Sequence, residues 1–238
     1  MHWMNFIRKK RWTGIALLLL LAVALFPHGS ERVPAFAPSS GDASKLLIID
    51  AGHGGEDGGA VSLTGVPESG INLAIACNME DILAFYGEPP LLLRRDDRSL
   101  HDSSAQSLRE KKRSDLHNRV AQIEQFPEAT LMSIHQNSYP KGAYHGAQVF
   151  YANESLSLPF AERTQTLLRD ILDPSNQRAA KPISEDVYLM NHISCRAILV
   201  ECGFLTNPEE EAKLRGSVYQ RQLAVVLSGA WLQELTQM

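Results

Sequence analysis

The chain has 238 residues, of which 44% are hydrophobic and 21% are charged, and its formal net charge is −4 at pH 7. This composition is typical of a globular protein with one sizeable core. Residues 1–37 hold five Lys or Arg and one Glu, so the remainder has 18 basic and 26 acidic side chains and a formal charge of −8. Such an acidic remainder argues against nucleic acid as a partner, because that requires clustered positive charge.

The first segment has the features of an export signal. Basic "RKKR" (8–11) precedes "TGIALLLLLAVALF" (13–26), a run of fourteen uncharged residues. As a helix this run spans about 21 Å, which is shorter than the roughly 30 Å of a membrane core and favours a signal peptide. "AFA" (35–37) fits a cleavage site, but Pro38 follows directly, so a retained membrane anchor stays an alternative. We expect three segments: a signal peptide or short membrane anchor over 1–37, a linker over 38–44, and one folded domain over 45–238.

Apolar strands alternate with amphipathic helices along the folded domain. Continuous apolar runs that end in turn residues predict buried strands, and apolar residues at helical spacing predict helices. The predicted strands are 45–51, 89–95, 129–137, 146–153 and 196–204, and the predicted helices are 69–87, 107–126, 159–173 and a last helix with Asn207 as its cap. This alternation predicts a single α/β domain with a mainly parallel twisted sheet flanked by helices on both faces.

Three polar residues follow or end predicted strands. His53 comes after the first strand, His135 near the end of "LMSIHQN" and Glu201 at the end of "AILVE". In parallel sheets ligands bind beyond the carboxyl ends of the strands. Taken singly, each residue has a structural explanation, as a packed histidine or an ion-paired carboxylate. Their convergence at one edge, with apolar neighbours around Glu201, favours a functional site.

Zinc is the metal that fits these residue types best. Catalytic zinc takes three N or O ligands and keeps one position open. Glu68 lies fifteen residues after His53 at a loop–helix junction and can reach back over the glycine-rich loop; its alternative explanation is a carboxylate favoured by the helix dipole. Glu201 is then left to accept a proton from water as a general base. Glu56 and Asp57 are interpreted as solvated or turn-capping residues.

Other classes of site lack their motifs. "GHGGEDGG" contains neither GxGxxG nor GxxxxGK[ST], which argues against a phosphate-binding loop, and no GxSxG is present. The three cysteines are too few for a disulfide framework. Cys195 and Cys202 flank one predicted strand and lie roughly 23 Å apart along it, so we expect both to be unpaired apolar residues.

Four blocks in order resemble the zinc-dependent N-acetylmuramoyl-L-alanine amidases (the amidase-3 family). They are "IIDAGHGGEDGGA", "VPESGINL", "SIHQN" and "ILVECGFLTNPEE", and the resemblance runs from about residue 45 to 235. It implies that one Zn²⁺ is bound by His53, Glu68 and His135, and that Glu201 is the catalytic carboxylate. It also implies hydrolysis of the amide between the lactyl group of muramic acid and L-alanine of the stem peptide. Asn137 is expected to contact substrate or a ligand.

Some positions depart from the family pattern or match no family position. Ala51 stands where proline is common in the first block, which we expect to change only loop stiffness. Arg196 stands where proline is common before the "AILVE" strand, and it is interpreted either as a contact to an acidic group of the substrate or as an edge residue. His145 and His192 match no metal position and are expected at the surface or rim.

A leader followed by a bare catalytic domain resembles the sporulation amidases of the spore cortex. That resemblance implies removal of stem peptides so that muramic-δ-lactam can form, and it places the chain outside the cytoplasmic membrane, in the cell wall or the forespore cortex space. The expected partners are a peptidoglycan strand with its stem peptide and an activator protein; membrane contact is expected only through an uncleaved leader. A zinc peptidase acting within the stem peptide and a non-catalytic wall-binding or activator domain are the alternatives.

Overall fold

A computed structural model describes residues 43–140 and 142–238. The predicted leader over 1–37 and the linker up to residue 42 lie outside the described residues. Within the part of the chain that the structure describes, no helix is long and apolar enough to cross a membrane. A short 3-10 helix, Ala43–Lys45, precedes the first strand.

The described residues form one six-stranded sheet and six α-helices. The strands are β1 (Leu47–Ala51), β2 (Leu91–Leu92), β3 (Thr130–Asn137), β4 (Gln148–Ala152), β5 (Lys181–Pro182) and β6 (Arg196–Phe204). The helices are α1 (Glu68–Phe85), α2 (Leu108–Ile123), α3 (Glu154–Leu167, continued by a π-helix over Leu168–Leu172), α4 (Tyr188–Asn191), α5 (Pro208–Leu214) and α6 (Ser217–Leu235).

The strand order is β2-β1-β3-β6-β4-β5. Strands β2, β1, β3 and β6 are parallel, β4 is antiparallel to β6, and β5 is parallel to β4. Apolar side chains cover both faces of the sheet: Leu47 and Ile49 of β1 belong to the core beneath α1 and α6, whereas Ile48 belongs to the core beneath α2 and α4. The predicted single α/β domain with helices on both faces is confirmed.

Several predicted boundaries were wrong. The second strand has only two residues, because the chain leaves the sheet after Leu92 and the next arginine serves the loop of the site described below. Helix α3 begins at Glu154, five residues before the prediction, because the N–H groups of residues 156 and 157 bond to the Asn153 carbonyl. The last helix is broken at Gly216 into α5 and α6. The predicted Asn207 cap is confirmed, since its side chain accepts two backbone N–H bonds.

The three neighbouring parallel strands β1, β3 and β6 end at one edge of the sheet. Ala51 of β1 pairs with Ile134 of β3, and His135 of β3 pairs with Glu201 of β6. Residues that end or directly follow these strands are therefore brought together at this edge, as in other open α/β sheets.

Candidate metal centre and active site

His53, Glu68 and His135 form a group that could hold a metal ion. One ligand atom from each lies within 4.8 Å of the others. His53 Nε2 is 2.8 Å from Glu68 Oε1, and His135 Nδ1 is 3.1 Å from the same oxygen. Two ring nitrogens and one carboxylate oxygen therefore converge, which is the donor set of a catalytic zinc site.

The glycine-rich loop makes room for these side chains. A Cβ atom on Gly52 would lie 2.3 Å from the His135 ring, and one on Gly59 would lie 2.4 Å from Glu68 Cγ. His53 itself has a left-handed backbone with φ of 62°, which turns its ring towards Glu68. Glu68 is the first residue of α1, and its Oε2 accepts a bond of 3.1 Å from the Ala60 N–H. The glycines thus serve close packing around the group.

The charges of this group favour a bound cation. Burial disfavours a protonated His53, but its hydrogen bonds to Asp57 and Glu68 outweigh this and raise its pKa to about 9. Burial also disfavours an ionised Glu68, but hydrogen bonds from His135 and His53 lower its pKa to about 2. A proton on His53 thus takes the place that a cation would occupy, and metal binding must release it.

Asp57 holds the outer side of the His53 ring, a role that the sequence interpretation missed. His53 Nδ1 lies 3.0 Å from Asp57 Oδ2, and Lys112 Nζ lies 3.4 Å from the same oxygen. This bond leaves Nε2 free to face Glu68. Turn capping is also present, because Asp57 Oδ1 accepts a 3.3 Å bond from the Gly59 N–H. The bond from His53 is the largest cause that lowers the pKa of Asp57 well below its usual range. An aspartate four residues after a histidine in a turn was the available signal.

Glu201 lies beside the group without belonging to it. Its backbone pairs with His135 across β3 and β6, and its Oε2 is buried without a hydrogen-bond partner among the described residues. Burial is the largest cause that raises the pKa of Glu201, which reaches about 7. The negative charge of Glu68 also raises this pKa, whereas the charge of His135 lowers it. A carboxyl group with a pKa near neutrality can both accept and return a proton.

A cleft of about 300 Å³ joins these residues. His53, His135 and Glu201 line the cleft, and the segment 186–190, which includes most of α4, forms one wall. Tyr188 of this wall is stacked between His117 and His192, at ring-centroid distances of 5.2 and 3.8 Å. The cleft is therefore bounded on this side by an ordered aromatic stack.

Two buried arginines support the loop from below. Arg94 donates to the carbonyls of Ala51 at 2.8 Å and Gly52 at 3.1 Å. Arg119 donates to the His53 carbonyl at 2.8 Å and forms a buried ion pair with Asp50. Backbone carbonyls that are buried beyond the end of a strand have no partner in the sheet, so they need hydrogen-bond donors such as these arginines. Their role was not predicted, because Arg94 stands near the end of a predicted strand and Arg119 on a predicted helix, where an arginine is ordinarily a surface residue.

The remaining predicted residues lie at the rim or elsewhere. Asn137 ends β3 two residues beyond His135 and is half-buried. His145 lies 3.6 Å from an aspartate, Asp173, outside the metal group. Arg196 begins β6, about 16 Å along the strand from Glu201, and bonds to Glu234 at 2.7 Å. Its bond to Glu234, at the end of the strand away from the metal group, fits the interpretation as an edge residue, and the contact to an acidic group of the substrate stays a prediction.

Comparisons with known proteins identify the family of the chain. The sequence profile of a family described as N-acetylmuramoyl-L-alanine amidase (Amidase_3) matches residues 47–230. The chain belongs to the N-acetylmuramoyl-L-alanine amidase family. It is therefore a peptidoglycan amidase, which confirms the family resemblance and the predicted enzyme class.

Individual amidases of this family resemble the chain over most of its length. It is 30% identical to the germination-specific N-acetylmuramoyl-L-alanine amidase of Bacillus subtilis (strain 168), over 94% of this chain and 90% of that protein. The CwlD amidase from Clostridioides difficile, solved in complex with the GerS lipoprotein, has a TM-score of 0.77 and 32% identity, covering 81% of this chain and 99% of that chain. The catalytic domain of the CwlV amidase from Bacillus (Paenibacillus) polymyxa var. colistinus has a TM-score of 0.66 and 27% identity, covering 80% and 98%.

Proposed function

We propose that this amidase uses one Zn²⁺ held by His53, Glu68 and His135, with Glu201 as the general base. The observation that carries the proposal is the convergence of three ligand atoms within 4.8 Å beside a buried carboxylate oxygen that has no partner among the described residues. The close approach of the His135 ring to Gly52 and of Glu68 to Gly59, where a Cβ atom would clash, supports the same group of ligands.

In the proposed hydrolysis, a bound Zn²⁺ and Glu201 have different roles. A bound Zn²⁺ supplies a Lewis acid that polarises a carbonyl and makes water more acidic. Glu201 accepts the proton of the attacking water as its oxygen adds to the lactyl carbonyl carbon. Glu201 then returns that proton to the L-alanine nitrogen as the C–N bond breaks, so the products are a free muramic acid carboxylate and an intact stem peptide. Asn137, which ends β3 two residues beyond His135, contacts the substrate or supports a metal ligand.

The biological setting is also part of the proposal. The Bacillus subtilis relative is named germination-specific, and the CwlD amidase was solved with a lipoprotein. We infer a role in spore-cortex remodelling that strips stem peptides and permits muramic-δ-lactam formation. We further infer export by the signal peptide or short anchor over 1–37, action in the cell wall or forespore cortex space, and an activator lipoprotein as partner.

Digestion of purified peptidoglycan by the full chain tests the reaction. We expect mass spectrometry to show intact stem peptides and stem-free muramic acid. Activity should disappear with a chelator and return with zinc. Shortened stems on the glycan would identify a stem peptidase, and binding without any product would identify a wall-binding domain.

Metal analysis of two histidine variants tests the ligand assignment. His135→Ala should lose the bound zinc, because it removes one of three ligands. His145→Ala, at a histidine outside the group, should keep one zinc per chain. Equal zinc content in both variants would contradict the assignment.

A further inference from the structure

An aromatic shelf, formed by Tyr139, Tyr144 and Phe204, continues the active-site edge of the sheet. The rings of Tyr139 and Tyr144 meet edge to face with centroids 4.7 Å apart, and Tyr144 stacks on Phe204 at 6.2 Å. Phe204 is buried, whereas Tyr139 is 46% and Tyr144 44% exposed. We propose that this shelf is a sugar-binding subsite for the glycan strand, a proposal that rests on the proposed function.

The shelf lies on the same face of the sheet as Glu201. His135 pairs with Glu201, and Asn137 pairs with Phe204, so β6 has one extra residue between the two pairs. His135 and Asn137 are two residues apart and point to one face, and paired residues share a face. Because its partner Asn137 is two residues beyond His135, Phe204 lies about 7 Å beyond Glu201 along the strand, next to the cleft where the amide is cut.

The shelf is held in place by the surrounding chain. The Tyr139 N–H donates to Thr206 Oγ1 at 3.1 Å, and Asn207 Nδ2 donates to the Tyr144 carbonyl at 3.2 Å. The Arg178 guanidinium lies 4.6 Å from the centre of the Phe204 ring. The backbone on both sides of the exposed rings is thus anchored, and little conformational entropy is lost when a ligand binds.

The chemistry of the shelf fits a neutral sugar. Aromatic faces carry partial negative charge and attract the C–H groups on the face of a pyranose ring. No described residue forms a hydrogen bond with the hydroxyl of Tyr139 or Tyr144, so both can bond to sugar hydroxyl or acetamido groups. The guanidinium of Arg178, which lies over the Phe204 ring, also bonds to Gln148 Oε1 at 2.9 Å. The shelf therefore offers exposed ring faces and hydroxyl groups, which are the two kinds of contact that a neutral sugar takes.

A second aromatic pair in the molecule provides a matched control. Phe85 and Tyr86 also meet edge to face, with centroids 5.6 Å apart, and Tyr86 is 63% exposed. This pair lies at the far end of α1, about 26 Å along the helix from Glu68. A general effect of removing an exposed tyrosine will therefore appear equally in both places.

Binding of stem-free glycan strands to the full chain tests the proposal. The probe is a set of N-acetylglucosamine–N-acetylmuramic acid oligosaccharides, which contain no scissile amide. We expect Tyr139→Ala and Tyr144→Ala each to weaken binding roughly three- to tenfold, Tyr139→Phe to keep most of the stacking, and Tyr86→Ala to bind like the unaltered chain. If Tyr144→Ala does not fold, the binding measured for Tyr139→Ala tests the proposal, because Tyr139 is the more exposed of the two residues.

The possible outcomes separate this proposal from the proposed function. Unchanged binding in Tyr139→Ala, an equal loss in Tyr86→Ala, or no binding of the strands to the unaltered chain would overturn the subsite. Failure of the zinc or hydrolysis experiments would overturn the proposed function and leave this binding measurement intact, because the probe cannot be hydrolysed at the amide.

Discussion

Strand β6 carries a charged side chain near each end. The side chain at one end has a partner of opposite charge, and the side chain at the other end does not. At its start, Arg196 bonds to Glu234, which also pairs with Arg163, so the two charges have opposite partners although Arg196 Nε is buried without a hydrogen-bond partner among the described residues. Near its other end, Glu201 has a buried oxygen without a partner among the described residues, and burial raises its pKa to about 7.

This difference distinguishes a structural charge from a functional one. Leaving a carboxylate oxygen buried without a partner destabilises a fold. Such a group persists where its partner is supplied by substrate, water or a metal ion. The paired end of β6 is therefore expected to affect stability, and the unpaired end to affect chemistry.

The largest expected effect is on catalysis at the unpaired end. Glu201→Gln keeps the shape of the side chain but removes the proton acceptor, so kcat should fall roughly 10²- to 10⁴-fold. Bound zinc should remain at one per chain, because Glu201 is not assigned as a ligand. A loss smaller than tenfold, or loss of the zinc, would contradict the general-base role.

Arg119→Met is expected to act on stability, although Arg119 lies near the active site. Its charge is paired with Asp50, and removing one partner of a buried pair costs about 3–5 kcal/mol of unfolding free energy. Arg95→Met, which breaks an exposed pair with Glu80, should cost at most about 1 kcal/mol. Chemical denaturation measures the unfolding free energy of both variants. Equal losses would show that burial does not determine how much an ion pair contributes to stability.

The pH dependence of this stability follows from the carboxylate. Burial disfavours ionised Asp50, but Arg119 outweighs it and holds the pKa of Asp50 below its usual value. The contribution of the pair is therefore present above about pH 4 and is lost as the pH falls further. The difference between the unaltered chain and Arg119→Met should shrink in the same range.

An intermediate effect is expected at Asp57, which acts through a metal ligand. Asp57→Asn weakens the bond that orients His53, and zinc affinity should fall roughly 10- to 100-fold. Glu56→Gln changes the neighbouring carboxylate, which pairs with Lys111 and does not contact His53, and should leave the affinity unchanged. A competitive chelator titration measures both, and equal affinities in the two variants would remove the positioning role.

The smallest effect on activity is expected at the paired end of β6. Arg196→Ala should change kcat/KM for peptidoglycan less than twofold and lower the thermal unfolding midpoint, because Glu234 retains only Arg163. A tenfold loss of kcat/KM at unchanged stability would support the interpretation of Arg196 as a substrate contact.

The fold and the ligand candidates could be predicted because both follow from short-range patterns. Buried strands read as apolar runs, and parallel strands bring His53, His135 and Glu201 to one edge. Glu68 was identified as a candidate because it starts a helix after a loop long enough to return to His53.

The supporting residues could not be predicted, because their roles depend on three-dimensional contacts. The bond between His53 and Asp57 requires the left-handed backbone of His53. Arg119 lies on a helix with many charged residues, and only tertiary packing shows that it is buried beneath the loop. The wall formed by α4 has four residues, too few to give a helical pattern.

A crystal structure of the full chain grown with Zn²⁺, with anomalous data at the zinc absorption edge, tests the central claim most directly. We expect one peak about 2.0–2.2 Å from His53 Nε2, His135 Nδ1 and one Glu68 oxygen, with Glu201 outside the coordination sphere. A peak elsewhere, or one that includes Glu201 as a ligand in place of Glu68, would contradict the account.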